Sequence, residues 1–151
     1  MNLLEVLPAV LREAVRWATA QALDIARRGA PLTRRDLEIA RAVGVQHPQF
    51  IRLLEVEELP APAEGLLREA ALHAGLAGPE MAGLTLGHAV GIRRGCTTVR
   101  LLSHEFRHVY QYEQAGSIAA FLAEYLRQIA EVGYAAAPLE QDARSHERSW
   151  A

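Results

Sequence analysis

The stretch SHEFRHVYQ, residues 103–111, carries His104 and His108 four positions apart, with Glu105 directly after the first histidine. On a helix, side chains four residues apart project from one face, roughly 6 Å apart along the axis. Both imidazoles can then reach one Zn²⁺ at about 2 Å. The stretch therefore predicts a zinc site on a helix.

Glu105 lies about 100° further round such a helix than His104. We therefore expect its carboxylate to overhang the open side of the metal rather than to bind it. A zinc ion lowers the pKa of its bound water toward about 7 and polarises a carbonyl oxygen. Glu105 is predicted to be the general base that takes a proton from that water.

A third protein ligand is needed, because catalytic zinc sites have three protein ligands and one open position. Glu124 and Glu131 follow the motif on the chain and stand seven residues apart. They flank the apolar stripe of a predicted helix, which is the position of solvated helix charges. We expect both to be surface residues.

Glu140 stands in a different context from these two acids. It follows Pro138 in the first turn of a new helix, after residues 133–137, which can turn the chain back toward the motif. The position favours Glu140 as the third ligand, and Asp142 and His146 are lesser candidates.

Other residues near the motif have a functional and a structural interpretation. Tyr134 could donate a hydrogen bond to the oxyanion of a tetrahedral intermediate and is a candidate catalytic residue, whereas the structural alternative is a buried tyrosine after a helix end. His88 and Cys96 fit structural roles better than substrate contact or metal ligation. Gln111, one turn after His108, could orient that ligand or lie at the surface.

Apolar residues at helical spacing, together with capping residues, predict six helices. They cover residues 3–28, 34–41, about 63–74, from a cap at Thr97 or Thr98 to 114, 118–131, and a short one from 138.

Two segments are predicted to be strands. Residues 50–58 are rich in strand-forming types, and residues 84–92 alternate between larger side chains and the set Thr, Gly, Ala, Gly. This alternation predicts one strand with an almost side-chain-free face. The order of the elements predicts an α+β fold with helices around a small, mainly antiparallel sheet and the histidine motif on a central helix.

Length and composition predict a single domain over residues 1–151. The chain has 151 residues, of which 50% are hydrophobic and 23% charged, values typical of a soluble globular protein. Residues 1–76 form a helical part with one strand in this prediction. Residues 82–151 carry the second strand, the motif helix and the helix of Glu140.

Charge and cysteine content exclude several classes of protein. The net charge is −2, and the 16 basic residues are all arginines scattered among glutamates, so we expect no nucleic-acid partner. The single cysteine excludes an internal disulfide. The first residues lack a secretory signal pattern, and no apolar run approaches transmembrane length. We expect a cytoplasmic protein without membrane insertion.

The chain between residues 84 and 143 resembles the minimal gluzincins and related small bacterial zincin-like domains. The matching segments are LTLGH at 84–88, HEFRHVYQ at 104–111, GY at 133–134 and PLEQDA at 138–143. By this resemblance His104, His108 and Glu140 would bind zinc, and Glu105 would be the base. The strand before the motif would be the edge along which an extended peptide lies.

The motif and the resemblance together predict a zinc-dependent, metallopeptidase-like hydrolase that acts on a peptide or protein. One residue departs from the pattern, since Arg107 stands where zinc peptidases of this kind usually have an uncharged residue. The alternative is a non-catalytic or latent module that binds zinc structurally and recognises a protein partner. A metal-free helical interaction domain is a third hypothesis, and the oligomeric state is not predicted.

Overall fold

A computed structural model describes residues 1–76 and 81–149 of the chain. These residues form six α-helices, a short 3₁₀ helix and one sheet of three strands. In chain order the elements are α1 (Leu3–Arg28), α2 (Arg34–Ala42), the 3₁₀ helix (Pro48–Phe50), β1 (Arg52–Val56), α3 (Gly65–Ala74), β2 (Gly83–Leu86), β3 (Ala89–Arg93), α4 (Val99–Ala115), α5 (Ile118–Val132) and α6 (Pro138–Ser145). The predicted α+β class is confirmed.

Capping residues set the ends of the helices around the histidine motif. Thr98 rather than Thr97 caps α4, and its hydroxyl accepts a hydrogen bond from the Leu101 N–H at 3.1 Å. Gly116 ends this helix with φ 93°, a left-handed conformation that glycine adopts without steric cost. Ser117 then caps α5 through its hydroxyl. Only Gly116 and Ser117 therefore separate α4 from α5.

The sheet is mixed, and the prediction of a mainly antiparallel sheet is wrong. The strand order is β1-β3-β2, in which β1 runs parallel and β2 antiparallel to β3. A parallel pair requires a crossover connection. Here the chain passes through α3 and enters the sheet again as β2, which runs opposite to β1. The hairpin then returns it between the other two strands as β3, in the direction of β1.

The single strand predicted over residues 84–92 is a hairpin of β2 and β3, which is a correction. Gly87 and His88 form its two-residue loop, and Gly87 has φ 70°, as a tight hairpin turn requires. Large side chains recur at even positions on both sides of the loop, so the sequence pattern did not reveal the turn. The register of the strands nevertheless places Leu86 and Val90 on opposite faces of the sheet. His88 therefore lies in the turn and not on the apolar face of a strand.

The two faces of the sheet pack against different helices. Val90 and Ile92 on one face belong to a buried cluster with residues of α2 and α4, including Phe106. Leu86 and Ala89 on the other face pack with residues of α1 and α5. Helix α4 contributes side chains to both clusters and is central in the fold. No helix of the described residues is long and apolar enough to span a membrane.

Candidate metal centre

Three side chains from two helices meet beside the sheet. The rings of His104 and His108 project from one side of α4, with their centroids 4.9 Å apart. Helix α6 starts at Pro138 and brings Glu140 to the same point in its first turn. One ligand atom from each of these side chains lies within 4.8 Å of the others, so the group could hold a metal ion.

The Glu140 carboxylate is the buried centre of this group, with its side chain 2% exposed. Its Oε2 accepts a hydrogen bond from the Tyr125 hydroxyl at 2.8 Å and lies 3.0 Å from Nε2 of His108. Its Oε1 lies 3.4 Å from Nε2 of His104 but has no hydrogen-bond partner. An orphaned buried carboxylate oxygen is costly, and a cation bound there would satisfy it. The residues therefore fit a metal ion.

Electrostatics within the group favour charged side chains. Burial alone would raise the pKa of Glu140, but contacts with His104 and His108 hold it well below its ordinary value. Burial would lower the pKa of both imidazoles, whereas Glu140 and the charge of Glu105 raise it above 6.5. A proton and a metal ion would therefore compete for the histidine nitrogens.

Outer hydrogen-bond partners fix the orientation of both imidazoles. Nδ1 of His104 lies 2.9 Å from Oε2 of Glu147, and Nδ1 of His108 lies 2.8 Å from Oε1 of Gln111. When Nδ1 donates to such a partner, Nε2 keeps the lone pair that binds a metal. Both Nε2 atoms lie next to Glu140. Gln111 is buried, so its interpretation as a surface residue is wrong.

The guanidinium of Arg107 is bound by groups other than the three potential ligands. Its Nε donates to Oδ2 of Asp142 at 2.8 Å, and its Nη1 donates to the Val43 carbonyl at 2.7 Å. Gln111 donates to the same Asp142 oxygen at 2.9 Å. Asp142, a lesser candidate for the third ligand, therefore accepts hydrogen bonds from two residues of α4 and links this helix to α6.

The other predicted alternatives also lie outside the group. Glu124 and Glu131 both form ion pairs with Arg127 on the exposed side of α5, as expected for solvated helix charges. His146 contacts the main-chain oxygen of Asp142 through Nδ1 at 2.8 Å. Cys96 is partly buried against the core, as its structural interpretation predicts.

Tyr134 lies at the start of the turn that leads to α6. It is 39% exposed, so its interpretation as a buried tyrosine is wrong. Burial of part of its ring and the nearby charge of Glu140 raise the pKa of its phenol above the ordinary value of 10.0. The hydroxyl is therefore a neutral donor at the border of the group.

Glu105 is buried and lies against β2. Its residue is 6% exposed, and its Oε1 accepts a hydrogen bond from the Thr85 hydroxyl at 2.8 Å. Its carboxylate is not among the ligand atoms that meet within 4.8 Å. The structure thus separates Glu105 from the three potential ligands, as the helical geometry predicts.

A cavity of about 1060 Å³ opens onto these residues. His104, Glu105, His108, Tyr134 and Glu140 all line it. The rest of its wall is mainly apolar and comes from α1, α3, α5, β2 and the segments that flank α3. Its larger apolar residues include Trp17, Leu59, Leu67, Met81, Leu84 and Leu126.

Sequence reasoning missed the partners that hold the ligands. Glu147 reaches His104 because the chain after α6 folds back along α4, where the Arg148 N–H donates to Oγ of Ser103 at 2.8 Å. No sequence pattern predicts that the segment after α6 packs along α4. Tyr125 lies within the predicted helix over residues 118–131, and a hydroxyl at the end of a ring on its apolar side is the signal that could have identified it.

No family model, curated protein or solved structure matches this chain.

Proposed function

We propose that this protein is a zinc-dependent hydrolase that cleaves peptide bonds, with His104, His108 and Glu140 as zinc ligands and Glu105 as general base. The observation that carries the proposal is the convergence of three ligand atoms within 4.8 Å around a buried carboxylate oxygen that lacks a hydrogen bond. Two imidazoles and one carboxylate are a donor set typical of catalytic zinc. When bound, zinc would acidify a water and polarise the substrate carbonyl.

Glu105 would move the proton in this reaction. Its carboxylate lies on the cavity wall beside His104 and outside the ligand group. It would accept a proton from the attacking water and deliver it to the amine that leaves when the peptide bond breaks. Tyr134, at the border of the same cavity, would donate a hydrogen bond to the carbonyl oxygen as its negative charge develops.

The cavity and the sheet edge support a peptide as the substrate. The apolar wall would accommodate hydrophobic side chains on either side of the cleaved bond. β2 is at the edge of the sheet, since β3 is its one strand neighbour among the described residues. An extended peptide can add to such an edge through main-chain hydrogen bonds.

A non-catalytic module with a structural zinc is the second candidate. Structural zinc sites are usually closed by four protein ligands, whereas three side chains meet here and a large cavity opens onto them. Arg107, which departs from the peptidase pattern, is paired with Asp142 away from the ligand atoms. Its charge is therefore compatible with a reaction in the cavity.

Metal content tests the site first. We expect one zinc per chain by elemental analysis after mild dialysis in the wild type and in Glu105→Gln, and none in His104→Ala or Glu140→Ala. Glu131→Gln, a change on the exposed side of α5, is the control and should retain zinc. A wild type without zinc after reconstitution would refute the proposal.

Hydrolysis tests the reaction. The wild type should cleave an unfolded, fluorescently labelled protein, and Glu105→Gln should abolish cleavage while zinc remains bound. If both proteins bind zinc and neither cleaves a broad peptide library, the proposal of a hydrolase is wrong and the structural-zinc module is favoured.

A further inference from the structure

Strand β2 turns Thr85 toward the carboxylate of Glu105. Oγ1 of Thr85 lies 2.8 Å from Oε1 of Glu105 and 3.1 Å from the main-chain oxygen of the same residue. A hydroxyl has one proton to donate, and the charged carboxylate is the nearer and stronger acceptor. Thr85 is buried, so this hydrogen bond is shielded from competing water.

Gly83 leaves the space in which the same carboxylate lies. A Cβ atom at this position would stand 2.8 Å from Cγ and Cδ of Glu105 and 2.9 Å from its Oε2. Such distances are too short for real carbon contacts, so any side chain would displace the glutamate. Gly83 is not among the glycines with positive φ. The position therefore requires glycine for space and not for backbone conformation.

Gly83 and Thr85 act on Glu105 from one face of β2, because residues two apart in a strand point the same way. One residue provides a gap and the other a hydrogen bond, and together they fix the carboxylate against the strand. Without them, the side chain of Glu105 could rotate about its single bonds. A free carboxylate beside a divalent cation would then be an additional ligand.

We propose that Gly83 and Thr85 are positioning residues that keep Glu105 out of the coordination shell of the bound metal. A coordination position then stays open for the reaction, and Glu105 stays available as a base. This inference rests on the proposed metal site. It adds a role for β2 that is separate from binding of a peptide along its edge.

Cobalt substitution tests the inference without an activity assay. Four-coordinate Co²⁺ absorbs visible light much more strongly than five- or six-coordinate Co²⁺, so the spectrum reports an added ligand. We expect Thr85→Val, which removes the hydroxyl at nearly constant volume, to lose visible absorption intensity. Thr85→Ser keeps the hydroxyl and should retain the wild-type spectrum.

The double variant Thr85→Val with Glu105→Ala identifies the added ligand. Its spectrum should return to that of the Glu105→Ala single variant, because the intruding carboxylate is gone. An unchanged spectrum in Thr85→Val, or a change that persists in the double variant, would overturn the inference. A wild type that does not bind Co²⁺ would instead refute the metal site itself, and the inference with it.

Gly83→Ala provides a second route if Thr85→Val fails to fold by circular dichroism. The added methyl group should displace Glu105 and reduce the Co²⁺ absorption, and Glu105→Ala should reverse the effect by removing the clashing atoms. A normal spectrum in folded Gly83→Ala would contradict the inference.

Discussion

Helix α4 contributes residues to two clusters of histidine and carboxylate side chains. The clusters differ in whether both oxygens of the buried carboxylate have hydrogen-bond partners. Glu113, near the end of the helix, accepts hydrogen bonds from the N–H groups of Gln46 and His47 at 2.8 and 2.9 Å, and its Oε2 lies 3.0 Å from Nε2 of His88. Both of its oxygens thus have partners. At the other cluster, one oxygen of Glu140 has none.

The difference separates a structural cluster from a candidate ligand site. Glu113 joins α4 to the chain before β1 and to the turn between β2 and β3, and its side chain is 4% exposed. Its pairing within the protein offsets the cost of burial. The side chain of Glu140 is 2% exposed and lacks a hydrogen bond at one oxygen, so this oxygen could accept an additional positive group. Composition alone would not distinguish the two.

Separate replacement of each glutamate by glutamine should give the largest difference between the candidate ligand site and the structural cluster. We expect Glu140→Gln to weaken Zn²⁺ binding by more than about 100-fold, because loss of even an outer hydrogen-bond partner costs about 10- to 100-fold. Glu113→Gln should leave the affinity unchanged. Competition with a chromogenic chelator measures both constants. Equal losses in the two variants would contradict the proposed difference between the clusters.

Substitution of Glu147, the partner of His104, should cause the next largest loss of Zn²⁺ affinity. Glu147 bonds Nδ1 of His104 through one oxygen and Arg100 through the other. Glu147→Ala should weaken Zn²⁺ binding by about 10- to 100-fold, since the imidazole loses its orientation.

Arg100→Ala is the matched control for this variant. The Arg100 side chain is 76% exposed and binds the Glu147 oxygen that does not face His104, so its loss should change the affinity little. The same chelator competition applies. An effect of Arg100→Ala as large as that of Glu147→Ala would indicate that the ion pair, and not the histidine contact, matters.

Local sequence signals were enough to predict the helices and the group that could hold a metal. The spacing of His104 and His108 fixes their common face, and Pro138 starts the helix that brings in Glu140. The mixed sheet could not be predicted, because the direction of β1 relative to β3 depends on a crossover and not on either strand. The hairpin was hidden because large side chains occupy the even positions before and after the loop, although those of β2 and β3 lie on opposite faces of the sheet.

The contacts that complete the site were beyond sequence reasoning for a related reason. Thr85 and Glu105 are 20 residues apart, and His104 and Glu147 are 43 apart. Such pairs form only when two elements pack against each other. Gly83 could be recognised as part of the site only once the Glu105 carboxylate was seen to fill the space beside it.

Removal of the Glu113 carboxylate should affect stability and not metal binding. Glu113→Gln leaves one of the N–H groups of Gln46 and His47 without its acceptor. Loss of one hydrogen bond from these exposed residues costs about 0.5–1.5 kcal/mol, so the free energy of unfolding should fall by about that amount. Urea unfolding of the metal-free proteins at neutral pH measures the difference. A variant as stable as the wild type would mean that water replaces the carboxylate at no cost.

The stability contributed by Glu113 should also depend on pH, and this is the smallest effect expected. Burial would raise the pKa of Glu113, but hydrogen bonds from Gln46, His88 and His47 lower it below the ordinary value of 4.5. The folded state therefore binds the proton less readily than the unfolded state. The ionised carboxylate stabilises the fold fully above about pH 4.5, and this contribution is lost as the pH falls through the lowered pKa. In urea titrations at decreasing pH, the difference in stability between the wild type and Glu113→Gln should accordingly shrink below pH 4.5. A difference that stays constant or grows there would show that Glu113 is not held as a carboxylate by these donors.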